Sequence, residues 1–112
     1  MSTSPRVHTL AALQARAKAL VGQVRETVTA HALRGDTAAG ILGDLPIGVC
    51  VQLVGVWHAA RDAGFTQAEL TARLGEEGRL VFEMVVGMYD TACHTPLPHL
   101  LESAAKLRDA LA

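Results

Sequence analysis

Two apolar segments separated by a short polar unit dominate the hydrophobic pattern of this chain. The first covers residues 45–57 and the second residues 80–89, and each is interrupted by one polar side chain, Gln52 in the first and Glu83 in the second. A helix that is apolar around most of its circumference is buried between other elements. We therefore expect these two segments to form the centre of the fold.

The secondary structure of the first segment stays open on the pattern alone. Its β-branched residues would also suit a strand: Val49, Val51, Val54 and Val56. A proline near the start, Pro46, and a polar end at His58, Arg61 and Asp62 favour a helix that reaches Ala63. Helix is the assignment that we prefer.

Within that segment, small residues recur on one side of the predicted helix. Gly48, Gln52, Gly55 and Ala59 fall at i, i+4, i+7 and i+11, which gives one continuous stripe. Glycine costs about 1 kcal/mol in a helix interior. A stripe that carries this cost is typical of a helix that another backbone approaches closely.

A long amphipathic helix is predicted over residues 5–34, with Ser4 as its cap and Pro5 at its first position. Its apolar side is formed by Leu10, Leu13, Ala17, Leu20, Val24 and Val28. Thirty residues span about 45 Å, whereas a domain of this size has a radius of gyration of about 13 Å. The helix must therefore overhang its domain, bend at Gly22, or pack along a second chain, and the last option explains its length best.

The remaining elements complete an all-α fold of about five helices in one domain, residues 1–112. Residues 1–4 form a tail, residues 45–93 form a helix–short helix–helix core unit, and residues 98–112 form a C-terminal helix. A single helical turn over residues 37–42 precedes the core unit, and Asp36 is its predicted cap.

Composition and charge narrow the function classes. Half of the residues are hydrophobic but only 4% are aromatic. The net charge is −1 and the basic residues are scattered, which argues against a protein that binds nucleic acid mainly by neutralising its phosphates. The longest apolar run is well short of the roughly 20 residues that span a bilayer, and the N-terminus lacks the features of a signal peptide. We expect a cytoplasmic protein with no membrane contact, and the Ala-rich, Arg-over-Lys usage favours a bacterial source.

A capping box at Thr66 and Glu69 opens the polar unit between the apolar segments. From Gly64 to Met84 the chain resembles the Cro/repressor-type helix-turn-helix family. The positions of the family's leading glutamine, core residues and turn glycine are taken by Gln67, Leu70, Leu74, Gly75, Val81 and Met84. The resemblance implies a DNA-binding regulator that would contact nucleic acid through Gln67, Arg73 and Arg79.

The same alignment places carboxylates where that family binds DNA. Glu76 replaces an apolar residue after the turn glycine, and Glu77, Gly78, Arg79 and Phe82 take the base- and phosphate-facing positions. Major-groove readout relies on donors such as Arg, Asn or Gln, and carboxylates repel phosphate. We therefore keep DNA binding as the alternative and interpret the unit mainly as a packing device.

Candidate chemistry is sparse. Cys93, His94 and His99 could ligate a metal or heme, but structural zinc sites usually supply a second ligand pair, which this sequence lacks. His58 and Asp62 stand at i, i+4 and could orient each other. No nucleophile–base motif or glycine-rich phosphate loop occurs, so we expect neither an enzyme nor a bound cofactor.

The sequence thus predicts a small helical regulatory or accessory protein that acts through protein–protein contacts, as a homodimer or higher oligomer. The alternatives are the DNA-binding regulator and the metal or heme protein. The residues predicted for self-association are Leu10, Leu13, Leu20, Val24 and Val28, followed by Val85 and Met88.

Overall fold

The computed structural model describes residues 5–112, and for residues 5–8 and Cys93 it describes the backbone alone. Across these residues every regular element is helical, which confirms the all-α prediction. The elements are α1 (Pro5–Leu33), α2 (Ala38–Gly43), α3 (Ile47–Asp62), α4 (Gln67–Thr71), α5 (Gly75–Tyr89), a 3-10 turn (Thr91–Cys93) and α6 (Leu97–Leu111). The predicted tail and the Ser4 cap lie outside the described residues.

The segment with the open assignment is a helix, α3. Pro46 takes the cap position, where its fixed backbone angle suits the entry into a helix. The side chains that α3 buries include Cys50, Leu53, Val54 and Trp57. Helices α1, α4 and α5 pack against α3, so the fit of Val54 and Val56 into this core outweighs the strand propensity of valine.

Helix α1 is the axis of the molecule. Its 29 residues span about 43 Å, and the molecule measures 51 × 26 × 21 Å, so α1 lies along the longest dimension. The other five helices all pack against it, and α1 continues through Gly22 without a break. The particle itself is long enough to house this helix, so its length no longer requires a second chain.

The helix–short helix–helix unit contains the predicted capping box. Thr66 Oγ1 accepts the backbone N–H of Glu69, and a carboxylate oxygen of Glu69 accepts the backbone N–H of Thr66, both at 3.1 Å. Helix α4 ends at Thr71. Gly75, with a φ of +73°, then supplies the left-handed conformation through which the chain enters α5.

Helices α2 and α6 pack against each other, and both contact α1. Thr37, rather than the predicted Asp36, caps α2, because the Thr37 hydroxyl accepts the backbone N–H of Gly40 at 3.0 Å. Ile41 and Leu42 anchor α2 in the core. No helix in the described part of the chain is long and apolar enough to cross a membrane.

Candidate contact surface

One side of α3 faces solvent although much of it is apolar. Ile47 is 64% exposed and Val51 is 56% exposed. The predicted small-residue stripe lies on this same exposed side: Gly48, Gln52, Gly55 and Ala59. No atom outside its own helix lies within 4 Å of where a Cβ on Gly48 or Gly55 would stand. We call these six residues the α3 face.

The α3 face therefore lacks the close neighbour that the stripe predicts. Glycines at Gly48 and Gly55 weaken an exposed helix without relieving any clash inside this chain. Arg16 of α1 borders the face, where its guanidinium donates to the Gln52 side chain at 3.2 Å. The surface available for a close approach is thus α3 with α1 at its edge.

Most of the residues predicted for self-association are buried inside the single chain. Leu20, Val24, Val28 and Val85 are at most 4% exposed. A side chain that its own chain already covers offers no further apolar area to a second copy, so the structure corrects this part of the prediction. The remaining three pack against the core but keep some exposure: Leu10, Leu13 and Met88.

A histidine–aspartate pair links α3 to the end of α5. His58 Nε2 lies 3.1 Å from Asp90 Oδ1, so the partner predicted for His58, Asp62, is not the one that it contacts. The same oxygen of Asp90 accepts the backbone N–H of Ala92 at 3.1 Å. The Asp90 side chain is 1% exposed and that of His58 is 40% exposed. A buried carboxylate thus orients a histidine at the surface and caps the 3-10 turn.

Cys50 lies in the core beside this region and is fully buried. Burial raises the pKa of its thiol to about 11, because a thiolate loses its hydration in an apolar environment. Burial also raises the pKa of the Tyr89 hydroxyl, and the nearby Cys50 adds to this effect. A thiol held in its neutral form is inert as a nucleophile and packs as a small apolar side chain.

The residues predicted to contact DNA lie on α4, on α5 and in the turn between these helices. Arg79 is paired with Glu83 at 2.8 Å, and Arg73 is exposed in the turn before α5. Gln67 lies at the start of α4, half-buried. The first turn of α5 carries Glu76 and Glu77. Phe82, which the alignment would turn toward DNA, is fully buried.

The predicted metal ligands are only partly described. His94 and His99 are exposed, and the side chain of Cys93 lies outside the described part of the structure. Among the described residues, no group of three or more His, Cys, Asp or Glu side chains is placed to hold a metal ion.

An open cleft lies beside α4, α5 and α6, and its rim includes Gln67, Glu83 and Ser103.

Comparison with known proteins adds no family. The chain matches no protein-family profile, no curated protein and no solved structure. The small-residue stripe was predicted from the sequence, whereas the exposure of Ile47 and Val51 beside it was not. Helical spacing carried the signal, because Val51 follows Ile47 by four residues and Gly48 by three.

Proposed function

We propose that this chain is a small helical accessory protein with a regulatory role in the cytoplasm, working as a homo-oligomer through the α3 face. The observation that carries the proposal is the exposure of Ile47 and Val51 beside Gly48 and Gly55. Apolar side chains next to an accessible backbone favour a second helix as the occupant, because close packing of two helices needs small residues at their contact.

A second copy of the chain suits this face by symmetry. Most soluble oligomers contain two-fold interfaces, in which the same patch meets itself. If two α3 helices cross antiparallel about the midpoint of the stripe, Gln52 of each copy meets Gly55 of the other, and Gly48 meets Ala59. Each larger residue then opposes a smaller one, so the face complements itself in shape.

The charges at the ends of α3 fit the same arrangement. Pro46 gives the helix no side-chain cap, and the first turn contains no acidic residue. The unpaired N–H groups of a helix N-terminus favour a nearby negative charge. In the antiparallel pair, the exposed Asp62 of the second copy lies near the α3 N-terminus of the first copy. By symmetry, Asp62 of the first copy lies near the α3 N-terminus of the second.

The assembled form would act by presenting helical surfaces to a protein partner. Burial of the α3 face supplies about 25 cal/mol per Å² of apolar area, which is offset by the costs of association. An interface formed by one helix and its edge has a small area, which favours a transient oligomer over a permanent one. Exchange between free and assembled chains is a simple way to regulate a partner.

Light scattering behind a sizing column tests the proposal. The chain has a mass of 11.8 kDa, and we expect a particle of at least twice this mass that dissociates on dilution. A mass of one chain at every concentration up to the millimolar range would contradict homo-oligomerisation. We expect only a small weakening of association at high salt, because the face is mainly apolar and salt screens only the Asp62 contacts at the helix ends.

A further inference from the structure

One histidine contacts both ends of the α2 segment. His31, near the end of α1, is 6% exposed. Its Nδ1 lies 2.6 Å from Asp36 Oδ2, and its Nε2 lies 2.8 Å from Asp44 Oδ2. Asp36 directly precedes Thr37, the cap of α2, and Asp44 directly follows the helix. The imidazole ring therefore bridges the entry and the exit of α2.

This geometry requires both ring nitrogens to donate. An ionised carboxylate only accepts hydrogen bonds, and a neutral imidazole has one donor and one acceptor. With a neutral ring, one carboxylate would face the lone pair of a buried nitrogen. The ring in this arrangement is therefore an imidazolium.

The charges around the ring balance in this protonation state. The Arg34 guanidinium lies 3.2 Å from both Asp36 and the His31 Nδ1, and it donates to the carboxylate because the protonated nitrogen cannot accept. Two positive charges then balance two carboxylates. Among the described residues, Arg34, Asp36 and Asp44 are the charged groups that hydrogen-bond or ion-pair with His31, and no side chain of α6, which packs on α1 and α2, is among these partners.

We propose that His31, Asp36 and Asp44 form a pH-sensitive clasp, which fixes both ends of α2 to α1 while His31 is protonated and loosens these ends when the ring loses its proton. Loss of the proton leaves the cluster with one net negative charge and one carboxylate without its donor. Asp44, whose side chain is 72% exposed, then turns to water. Ile41 and Leu42 stay buried against the core, so the release is local.

The aspartate and histidine side chains of the clasp make its stability depend on pH in opposite directions. The hydrogen bond from His31 is the largest cause that lowers the pKa of Asp36, with a smaller contribution from Arg34, while burial opposes both. The contribution of Asp36 is therefore present above the ordinary aspartate pKa and is lost as pH falls through the lowered value. The histidine contribution runs the other way, because it is lost as pH rises and the ring gives up the proton that it donates. The clasp therefore weakens as pH rises.

Release would also reach the start of α3. Asp44 lies three residues before Ile47, the first residue of the α3 face. The clasp acts within one chain, however, and its existence does not depend on homo-oligomerisation. Its test can therefore fail or succeed independently of the proposed function.

Amide hydrogen exchange followed by NMR tests the clasp. In the wild-type chain, we expect the protection of the Ile41 and Asp44 amides to fall about tenfold or more between pH 6 and pH 8, after correction for intrinsic exchange. Amides in the middle of α5 should keep their protection. The His31→Gln variant should show low protection of α2 at both pH values, and His99→Gln, which changes an exposed histidine, should behave like the wild type. Unchanged protection of α2 in the wild type, or the same pH response in His31→Gln, would overturn the proposal.

The ring nitrogens give a second readout that needs no variant. We expect the ¹⁵N signals of His31 to show two protonated nitrogens at pH 6, and to change over the same pH range as the protection of α2. If His31→Gln fails to fold, this comparison decides alone. A neutral ring at pH 6, or opening of α2 at a pH where the ring signals do not change, would refute the clasp.

Discussion

Gly87 and Thr95 are so close that no side chain fits between them. The backbone N–H of Thr95 donates to the Gly87 carbonyl at 2.9 Å, and a Cβ on Gly87 would lie 2.5 Å from the Thr95 hydroxyl and 2.9 Å from its Cβ. The connection from α5 to α6 thus rests directly on the α5 backbone. This contact decides how closely α6, with its buried Leu100, approaches the core.

Gly87→Ala is therefore expected to destabilise the chain by about 1–3 kcal/mol, because the connection must move away from α5. Helix propensity alone would predict the opposite, a gain of up to about 1 kcal/mol. Gly55→Ala is the matched control, since nothing lies near its Cβ position, and it should stabilise a dissociated chain. Urea unfolding at high dilution, followed by the fluorescence of Trp57, measures both. A gain of stability in both variants would contradict this account of Gly87.

Asp90 provides a test of the link between α3 and α5. Asp90→Ala removes the acceptor of both His58 and the Ala92 N–H, and we expect a loss of about 1–3 kcal/mol in the free energy of unfolding. Asp62→Ala removes an exposed carboxylate and should change this free energy by less than about 0.5 kcal/mol. Equal effects of the two variants on the unfolding midpoint would argue against the His58–Asp90 pair.

Periodicity and capping residues predicted most of the fold. The starts of three helices depend only on residues close by in sequence: Pro5 for α1, the capping box of Thr66 and Glu69 for α4, and the turn glycine Gly75 for α5. Local chemistry of this kind is readable without tertiary structure. The prediction of α3 as a helix succeeded for a similar reason, because Pro46 and the polar end fixed its limits.

The contact surface was less predictable, because the sequence pattern of an apolar stripe does not show whether its own chain or a second chain covers it. Val24 and Val28 matched the pattern of a self-associating helix, yet α1 buries them against its own chain. The partner of His58 was missed because Asp90 is 32 residues away in sequence. Helical spacing predicts pairs within one helix, whereas contacts between helices depend on how the helices pack.

We expect the buried thiol of Cys50 to react slowly with alkylating reagents. With a thiol pKa of about 11, only about one thiol in a thousand would be ionised at pH 8 even if it were accessible. In a Cys93→Ser background, we expect alkylation by iodoacetamide to be at least about 100-fold slower in the folded chain than in urea. Rapid alkylation of the folded chain, measured by mass spectrometry, would show that α3 is not buried as described.

The same thiol gives the stability a pH dependence in the alkaline range. The pKa of Cys50 rises from 9.0 to about 11 on folding, so the folded chain holds its proton where the unfolded chain has lost it. The free energy of unfolding should therefore fall as pH rises from about 9 to about 11. Cys50→Ala should reduce this slope, and an unchanged slope in urea titrations would refute the assignment.

DNA binding gives a further prediction that separates the two regulatory functions. We expect no retention of mixed duplex DNA at low salt, because Arg79 is already paired with Glu83 and the turn before it carries carboxylates. Binding that weakens steeply with salt, and that Arg73→Glu or Arg79→Glu abolishes, would favour the helix-turn-helix regulator instead. Fluorescence anisotropy with labelled DNA measures this directly.

The central claim is that a second copy of the chain packs on the α3 face. Sedimentation equilibrium of three proteins tests it most directly: the wild type, Val51→Glu, and Leu33→Glu as the control. Leu33 is 74% exposed and lies outside α3, so its variant introduces the same charge away from the face. We predict that the wild type and Leu33→Glu associate with similar dissociation constants, while Val51→Glu weakens association at least about tenfold, which equals about 1.4 kcal/mol. Equal association of all three proteins, or a monomeric wild type, would contradict the claim.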